Sequence, residues 1–285
     1  MERPRAFMTA DTFDTASGKG RKTENFPVGS FLIRPDLRPH IHAFYDFARA
    51  ADDISDHPLL DAKEKVSRLE KFAVTLLDDK NNDIQPAVKL RKSLRQTGVS
   101  PQHGLDLLTA FKRDATQLRY RDWYDLIDYC NFSAAPVGRH VLALHGIGEK
   151  AWKANDALCN ALQIINHIQD CADDYRELDR VYIPEDMLAA HGARAEDLSC
   201  EASPMRLTAT FYAMFERLDP MLRDARALPR QISDGRLRTE TSVICALAES
   251  LVALLRRSDP LRDDVKLGKI SAFFATLIGI ARAWV

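Results

Sequence analysis

The chain has 285 residues, 46% of them hydrophobic and 28% charged, with 40 Lys+Arg against 41 Asp+Glu and a net charge of −1. That is ample apolar material for a folded core, so a disordered chain is excluded. The balanced charge argues against a general nucleic-acid binder, and no nucleic-acid partner is expected. The five cysteines, Cys130, Cys159, Cys171, Cys200 and Cys245, are scattered with no CxxC pair. They read as reduced thiols. The first 25 residues are polar and basic with no apolar stretch, which gives no secretory signal and a cytoplasmic expectation.

In chain order, residues 1–22 read as a flexible N-terminal arm and 23–285 as one all-α domain. Pro and Gly in Glu24-Asn-Phe-Pro-Val-Gly-Ser30 mark a turn or loop. A first strong helix runs from about Asp36 to His57-Pro58, with Ile41, Phe44, Tyr45, Phe47, Ala48 and Ala51 on its apolar face. Amphipathic helices follow at Ala62–Leu77, Ile84–Gln96 and Pro101–Leu118. Trp123–Leu144 reads as a helix broken near Pro136-Val-Gly138, and Asn155–Glu177 as one continuous helix. Ser203–Leu228, Thr239–Arg257 and Ile270–Trp284 complete eight to ten helices, with Ser203 expected as an N-cap before Pro204. Strand signals are nearly absent. The apolar Ile270–Val285 is too short to span a bilayer and is interrupted by Arg282. It reads as a core helix, with a membrane-surface contact as the other reading.

Asn166, Asp170 and Asp174 recur every four residues, so on a helix they stack on one face. The helix is otherwise apolar through Leu162, Ile164, Ile165 and Ile168, and carboxylates on such a helix need compensation. A hard divalent cation with oxygen ligands meets that need; a solvated acidic face continuing into Asp173, Glu177 and Asp179 is the alternative. Asp52 and Asp56 form a second acid pair at i and i+4, with Arg49 one turn earlier. Two such faces on apolar helices far apart in sequence suggest facing helices that hold a diphosphate through cations, making it a better leaving group. Arg49 and Arg180 could add hydrogen bonds to phosphate oxygens. Loss of a diphosphate leaves a carbocation, which calls for a dry apolar cavity lined by aromatic faces. Phe26, Phe44, Tyr45, Phe47, Tyr129, Phe132, Tyr175 and Tyr182 lie near the acids in sequence, though aromatics at helical spacing also simply build cores.

These residues together resemble the squalene/phytoene synthase family. Asp52-Asp-Ile-Ser-Asp56 after Arg49 is similar to its first aspartate motif. Asn166, Asp170, Asp174 and Arg180-Val-Tyr-Ile-Pro184 are similar to its NxxxDxxxD…RxYxP motif. Tyr129, Cys130, Ala134, Val137 and Gly138 are similar to its YCxxxAxxVG. The resemblance covers about residues 22–285 and implies an all-α isoprenoid-synthase (class I terpenoid synthase) bundle around a central cavity.

The details look closest to the bacterial branch serving hopanoid biosynthesis. That implies Mg²⁺-assisted ionisation of presqualene diphosphate, rearrangement, and water capture giving hydroxysqualene and diphosphate. Relatives that couple two prenyl diphosphates usually carry a His/Lys-Ser-x-Ser-Phe type segment where this chain has Lys22-Thr-Glu-Asn-Phe26. That departure fits a substrate already coupled elsewhere; the rival implication is a head-to-head prenyl transferase making presqualene diphosphate, squalene or phytoene. No NADPH is expected.

The resemblance implies several Mg²⁺ ions bridging to diphosphate on Asp52, Asp56, Asn166, Asp170 and Asp174, with Asp52 and Asp170 central to ionisation. It places Arg49, Arg180 and Tyr182 at the diphosphate, with Tyr45 nearby and Phe26 beside Asn25. Asn25 contacts phosphate or caps a helix. Asp114 stands behind the site or serves a structural ion pair. Tyr129 carries or orients a proton or water, or faces the cation. His40, His42 and His167 read as core or surface histidines. The implied partners are the lipid diphosphate substrate, other squalene-pathway enzymes, and a peripheral contact with the inner face of the membrane.

Overall fold

A computed structural model describes residues 33–284. The arm, the 24–30 loop, Asn25 and Phe26 lie outside the described residues. Twelve α-helices occur among them: α1 (Arg38–Ser55), α2 (Ala62–Leu77), α3 (Gln85–Thr97), α4 (Gln102–Thr116), α5 (Trp123–Ser133), α6 (Ala135–Leu144), α7 (Trp152–Gln169), α8 (Cys171–Leu178), α9 (Glu185–Ala190), α10 (Met205–Ala225), α11 (Gly235–Leu255) and α12 (Lys269–Arg282). The only β feature among the described residues is one isolated bridge, Arg119 to Val181.

The count exceeds eight to ten because two expected helices are each divided and the short α9 was not anticipated. The first division falls at Ala134, just before the expected Pro136-Val-Gly138. Pro136 lies in the first turn of α6, where its missing N–H is no loss, and it prevents α5 from continuing. The second falls at Asp170, where the backbone turns to φ −97°, ψ 5° and caps both α7 and α8. Aspartate suits such a junction better than a helix interior. The bonds Asp170 N to Asn166 O (2.8 Å) and Asp174 N to Asp170 O (2.9 Å) persist across it. Ser203 is not an N-cap: its N–H and hydroxyl both go to the carboxylate of Asp259, and the helix opens at Met205 behind Pro204.

Three buried clusters hold the helices. α1–α4 close around Phe47, Leu69, Leu90 and Leu107. A second cluster joins Ile164, Ile165 and Ile168 of α7 to Leu126 of α5, Phe215 of α10 and Leu251 of α11. A third gathers Leu142, Leu158, Ile232 and Cys245. α7 is thus the central member, in contact with α5, α6, α8, α10 and α11. Gly138 lets α6 approach it: a Cβ there would lie 2.1 Å from Asn155 Oδ1 and 2.6 Å from Cys159 Sγ. The glycine of the YCxxxAxxVG pattern therefore has a packing reason.

His140 of α6 is buried against α1, its ring stacked on Phe44 at 3.9 Å, and neither ring nitrogen has a hydrogen-bond partner. Burial, with His103 and His40 nearby, pushes its pKa from 6.5 down to about 3. The fold therefore holds His140 neutral, whereas the unfolded chain takes up a proton as pH falls through 6.5. Its contribution is intact above that value and is lost progressively toward pH 3, amounting to about 2 kcal/mol by pH 5. His140→Phe should shift the acid-unfolding midpoint to lower pH in a circular-dichroism titration; an unchanged midpoint would show that other groups govern acid stability.

The C-terminal helix overturns the core expectation. α12 buries Ala275, Gly279 and Ala283 against α11, while Ile270, Phe273, Phe274, Leu277, Ile278 and Trp284 remain exposed. Among the described residues no helix is long and apolar enough to cross a membrane.

Candidate active site

α1 ends at Ser55, so its last carbonyls lie at the negative end of its dipole. α4 ends similarly at Thr116. The segment after α8 brings Arg180 between these two helix ends. Asp179 takes a left-handed turn (φ 51°), and Val181 N bonds to Leu118 O at 2.9 Å while Glu185 N bonds to Tyr120 O at 2.9 Å. This pins Arg180–Pro184 alongside residues 118–121.

The Arg180 guanidinium is buried and serves three acceptors. Nη1 donates to Asp56 Oδ1 at 2.6 Å, Nη2 to Ser55 O at 3.0 Å and Nε to Asp114 O at 3.1 Å. Burial opposes its charge, but Tyr182 and the carboxylates of Asp114 and Asp56 hold it protonated. The residue that follows the second acid face thus bonds directly to an acid of the first.

Behind Arg180 lies a layer of rings. Asp114 of α4 accepts from Tyr129 Oη at Oδ2 and from Tyr182 Oη at Oδ1, both at 2.9 Å. Burial pushes the Asp114 carboxyl up to about 6, against the pull of Arg180 and the two phenols. Burial, and then the Asp114 carboxylate, raise the pKa of the Tyr129 and Tyr182 hydroxyls well above the ordinary phenol value. Tyr129 is therefore a hydrogen-bond donor and an aromatic face, poorly suited to act as a base.

Two further rings were not singled out for the site in the sequence. Tyr120 stacks on Tyr182 at 5.5 Å, and His167 stacks on Tyr182 at 3.6 Å with a 12° interplanar angle. His167 is buried, meets Gln163 Nε2 at 3.1 Å, and lies 4.0 Å from Asp174 Oδ2. Burial, then the charge of Arg180, pushes its pKa down to about 3, so it is neutral at physiological pH. By contrast, Phe44 and Phe47 belong to the α1–α4 core, and Tyr175 lies under Arg119 (5.9 Å).

The first acid face is half-buried. Arg49 donates to Asp52 Oδ2 at 3.0 Å and to Asp53 Oδ1 at 2.9 Å, within its own helix. Asp52 is nonetheless raised well above the usual carboxylate range by burial and by the Asp56 carboxylate. Arg49 thus offsets only part of the cost of ionising Asp52 here, and the donor atoms of this face are carboxyl oxygens, the set a hard divalent cation takes. Asp170 is exposed at the α7–α8 junction, and Asn166 and Asp174 are intermediate in burial. Among the described residues no three His, Cys, Asp or Glu gather closely enough to enclose a metal alone. Tyr45 lies on α1, four residues before Arg49, and is also intermediate in burial.

The squalene/phytoene synthase family pattern matches residues 20–271. The hydroxysqualene synthase of Rhodopseudomonas palustris is 47% identical over 261 residues, covering 91% of this chain and 89% of that protein. The hydroxysqualene synthase of Zymomonas mobilis is 42% identical over 267 residues, covering 93% and 90%. Among solved structures, squalene synthase HpnC from Alicyclobacillus acidocaldarius superposes with a TM-score of 0.71 at 28% identity, covering 81% of this chain and 87% of that one. A dehydrosqualene synthase shares the fold at a TM-score of 0.73 and 19% identity, covering 86% of each chain. The matched region takes in both acid faces and the Arg180 segment, and on that basis this chain belongs to the squalene/phytoene synthase family.

Proposed function

We propose that this protein ionises presqualene diphosphate and captures the rearranged cation with water, giving hydroxysqualene and diphosphate. The observation that carries the reading is the Arg180–Asp56 bond of 2.6 Å, which joins the arginine of the Arg180-Val-Tyr-Ile-Pro184 segment to the first aspartate motif. The hydroxysqualene synthases at 42–47% identity over about nine-tenths of the chain support the choice of reaction within the family.

Asp52, Asp56, Asn166, Asp170 and Asp174 would hold Mg²⁺, which when bound neutralises the diphosphate and eases its departure. Arg180, held charged beside Asp56, would add hydrogen bonds to phosphate oxygens, and Arg49 would turn to them from Asp52 and Asp53. The carbon–oxygen bond breaks with its electron pair leaving on diphosphate. Tyr129 and Tyr182, fixed by Asp114, present ring faces to the cation and withhold their protons. Water adds to the rearranged carbon, and its released proton is taken up by the departing diphosphate.

Incubation with presqualene diphosphate and Mg²⁺ should yield hydroxysqualene, with a product unchanged by NADPH. Product from farnesyl diphosphate alone, or squalene appearing only with NADPH, would reject this reading in favour of a condensing or reducing member of the family.

A further inference from the structure

α7 carries a polar stripe that the metal site does not use up. At steps of three and four residues, the face of Asp170 and Asp174 continues back through His167 and Gln163 to Asn160. Gln163 lies about 10 Å along the helix axis from Asp170, at 1.5 Å per residue. Asn160 is 4% exposed, among the buried apolar residues Leu158, Ala161 and Ile164 of the same helix. An amide in such surroundings is costly unless its oxygen and nitrogen are both bonded.

Each amide of the stripe is tied through its nitrogen. Asn160 Nδ2 donates to Asn131 Oδ1 of α5 at 2.8 Å. Gln163 Nε2 meets His167 Nε2 at 3.1 Å, and an amide nitrogen only donates, so the ring nitrogen accepts. The His167 ring is itself fixed, buried and stacked on Tyr182 at 3.6 Å. These bonds turn both amide oxygens away from their partners. Asn160 Oδ1 is buried and has no hydrogen-bond partner among the described residues. Gln163 is half-buried, and its one hydrogen bond among them is through nitrogen.

The stripe runs beside the ring layer. The His167 ring is 6.0 Å from that of Tyr129, and Asn131 follows Tyr129 by two residues on α5. A water that captures a carbocation must point a lone pair at the carbon, and it does so when both of its hydrogens are held by acceptors. Two amide oxygens one turn apart on a helix form such a pair. Amide oxygens also accept hydrogen bonds without taking the proton, so the water stays neutral until it reacts.

We infer that Asn160 and Gln163 seat the water that captures the rearranged cation, with Asn131 and His167 as positioning residues that aim the two amides. The inference rests on the proposed reaction and names the residues that decide its product. A lone pair of the water forms the carbon–oxygen bond, and the protonated alcohol then gives one O–H proton to the departed diphosphate. Without a seated water, the same cation loses a proton from a neighbouring carbon to diphosphate and ends as a hydrocarbon.

Mass spectrometry of the lipid products made from presqualene diphosphate and Mg²⁺ tests this, with thermal melting run beside it. Asn160→Leu should lower hydroxysqualene as a share of all products about tenfold or more, the loss of one hydrogen bond to the attacking water, with hydrocarbon in its place. Gln163→Met, which keeps the side-chain shape at a half-buried position, should do the same. Asn131→Leu and His167→Phe remove only the aiming partner and should lower the share less. Diphosphate release should fall less than the alcohol share in all four. If wild type makes hydroxysqualene and both Asn160→Leu and Gln163→Met keep its share, the seat is overturned while the reaction stands. A lower melting temperature with the product share intact would overturn it equally, assigning the amides to packing. If wild type makes no hydroxysqualene, the reaction and the seat fall together.

Discussion

Asp52→Ala should lower kcat/KM by about 10³-fold or more while the helical fold and melting temperature are kept. The estimate follows from removing one charged oxygen ligand for the cation that stabilises a departing diphosphate, about 4 kcal/mol of barrier. The fold should be indifferent to the loss. Asp52 is half-buried on α1 and raised by burial and the neighbouring Asp56 carboxylate, so without a bound cation its charge is a burden. Asp52→Asn keeps the shape and the bond from Arg49 but not the charge, and it should fail in the same way. Asp170→Ala should behave alike, because Asp170 is exposed at the α7–α8 junction. Steady-state kinetics beside thermal melting decides the matter: near-wild-type turnover by Asp52→Ala or Asp170→Ala would refute the metal assignment.

Arg180→Lys should be nearly as damaging as Arg180→Leu, to both stability and activity. The three bonds of Arg180 diverge from a planar fork to Asp56 Oδ1, Ser55 O and Asp114 O. A lysine ammonium reaches one of those acceptors and leaves buried carbonyls unpaired. Removing the buried partner of such a network costs about 2–4 kcal/mol, discounted here because the Asp56 side chain is 32% exposed. The lost bonds also release Asp56 and the end of α1 from the Arg180 segment, so kcat should fall together with the melting temperature. A lysine variant that melts and turns over like wild type would show that charge alone suffices and that the fork geometry is dispensable.

Much of the secondary structure was legible in the amino-acid pattern. α2 matches its expected bounds, and α3, α4 and α11 fall within four residues of theirs, because apolar positions at helical spacing and proline or aspartate at the starts mark each one. The chemistry of the acids was also legible, since Asp52/Asp56 and Asn166/Asp170/Asp174 are local spacings. Less visible was the kink at Asp170, because the hydrogen bonds across it keep the period of a continuous helix. The orientation of α12 was misjudged for a simple reason. Composition marks it as apolar, but only contact with α11 shows that its small residues face inward.

The sequence by itself determined the helical class, the two acid faces and the chemistry that oxygen ligands at that spacing invite. Those depend on neighbours within one or two turns. The tertiary structure alone decided that Arg180 reaches Asp114, Asp56 and Ser55, residues 66, 124 and 125 positions away, and that Tyr129, Tyr182, Tyr120 and His167 form one layer behind them. Contacts of that range are set by how helix ends meet in space, and no local periodicity carries them.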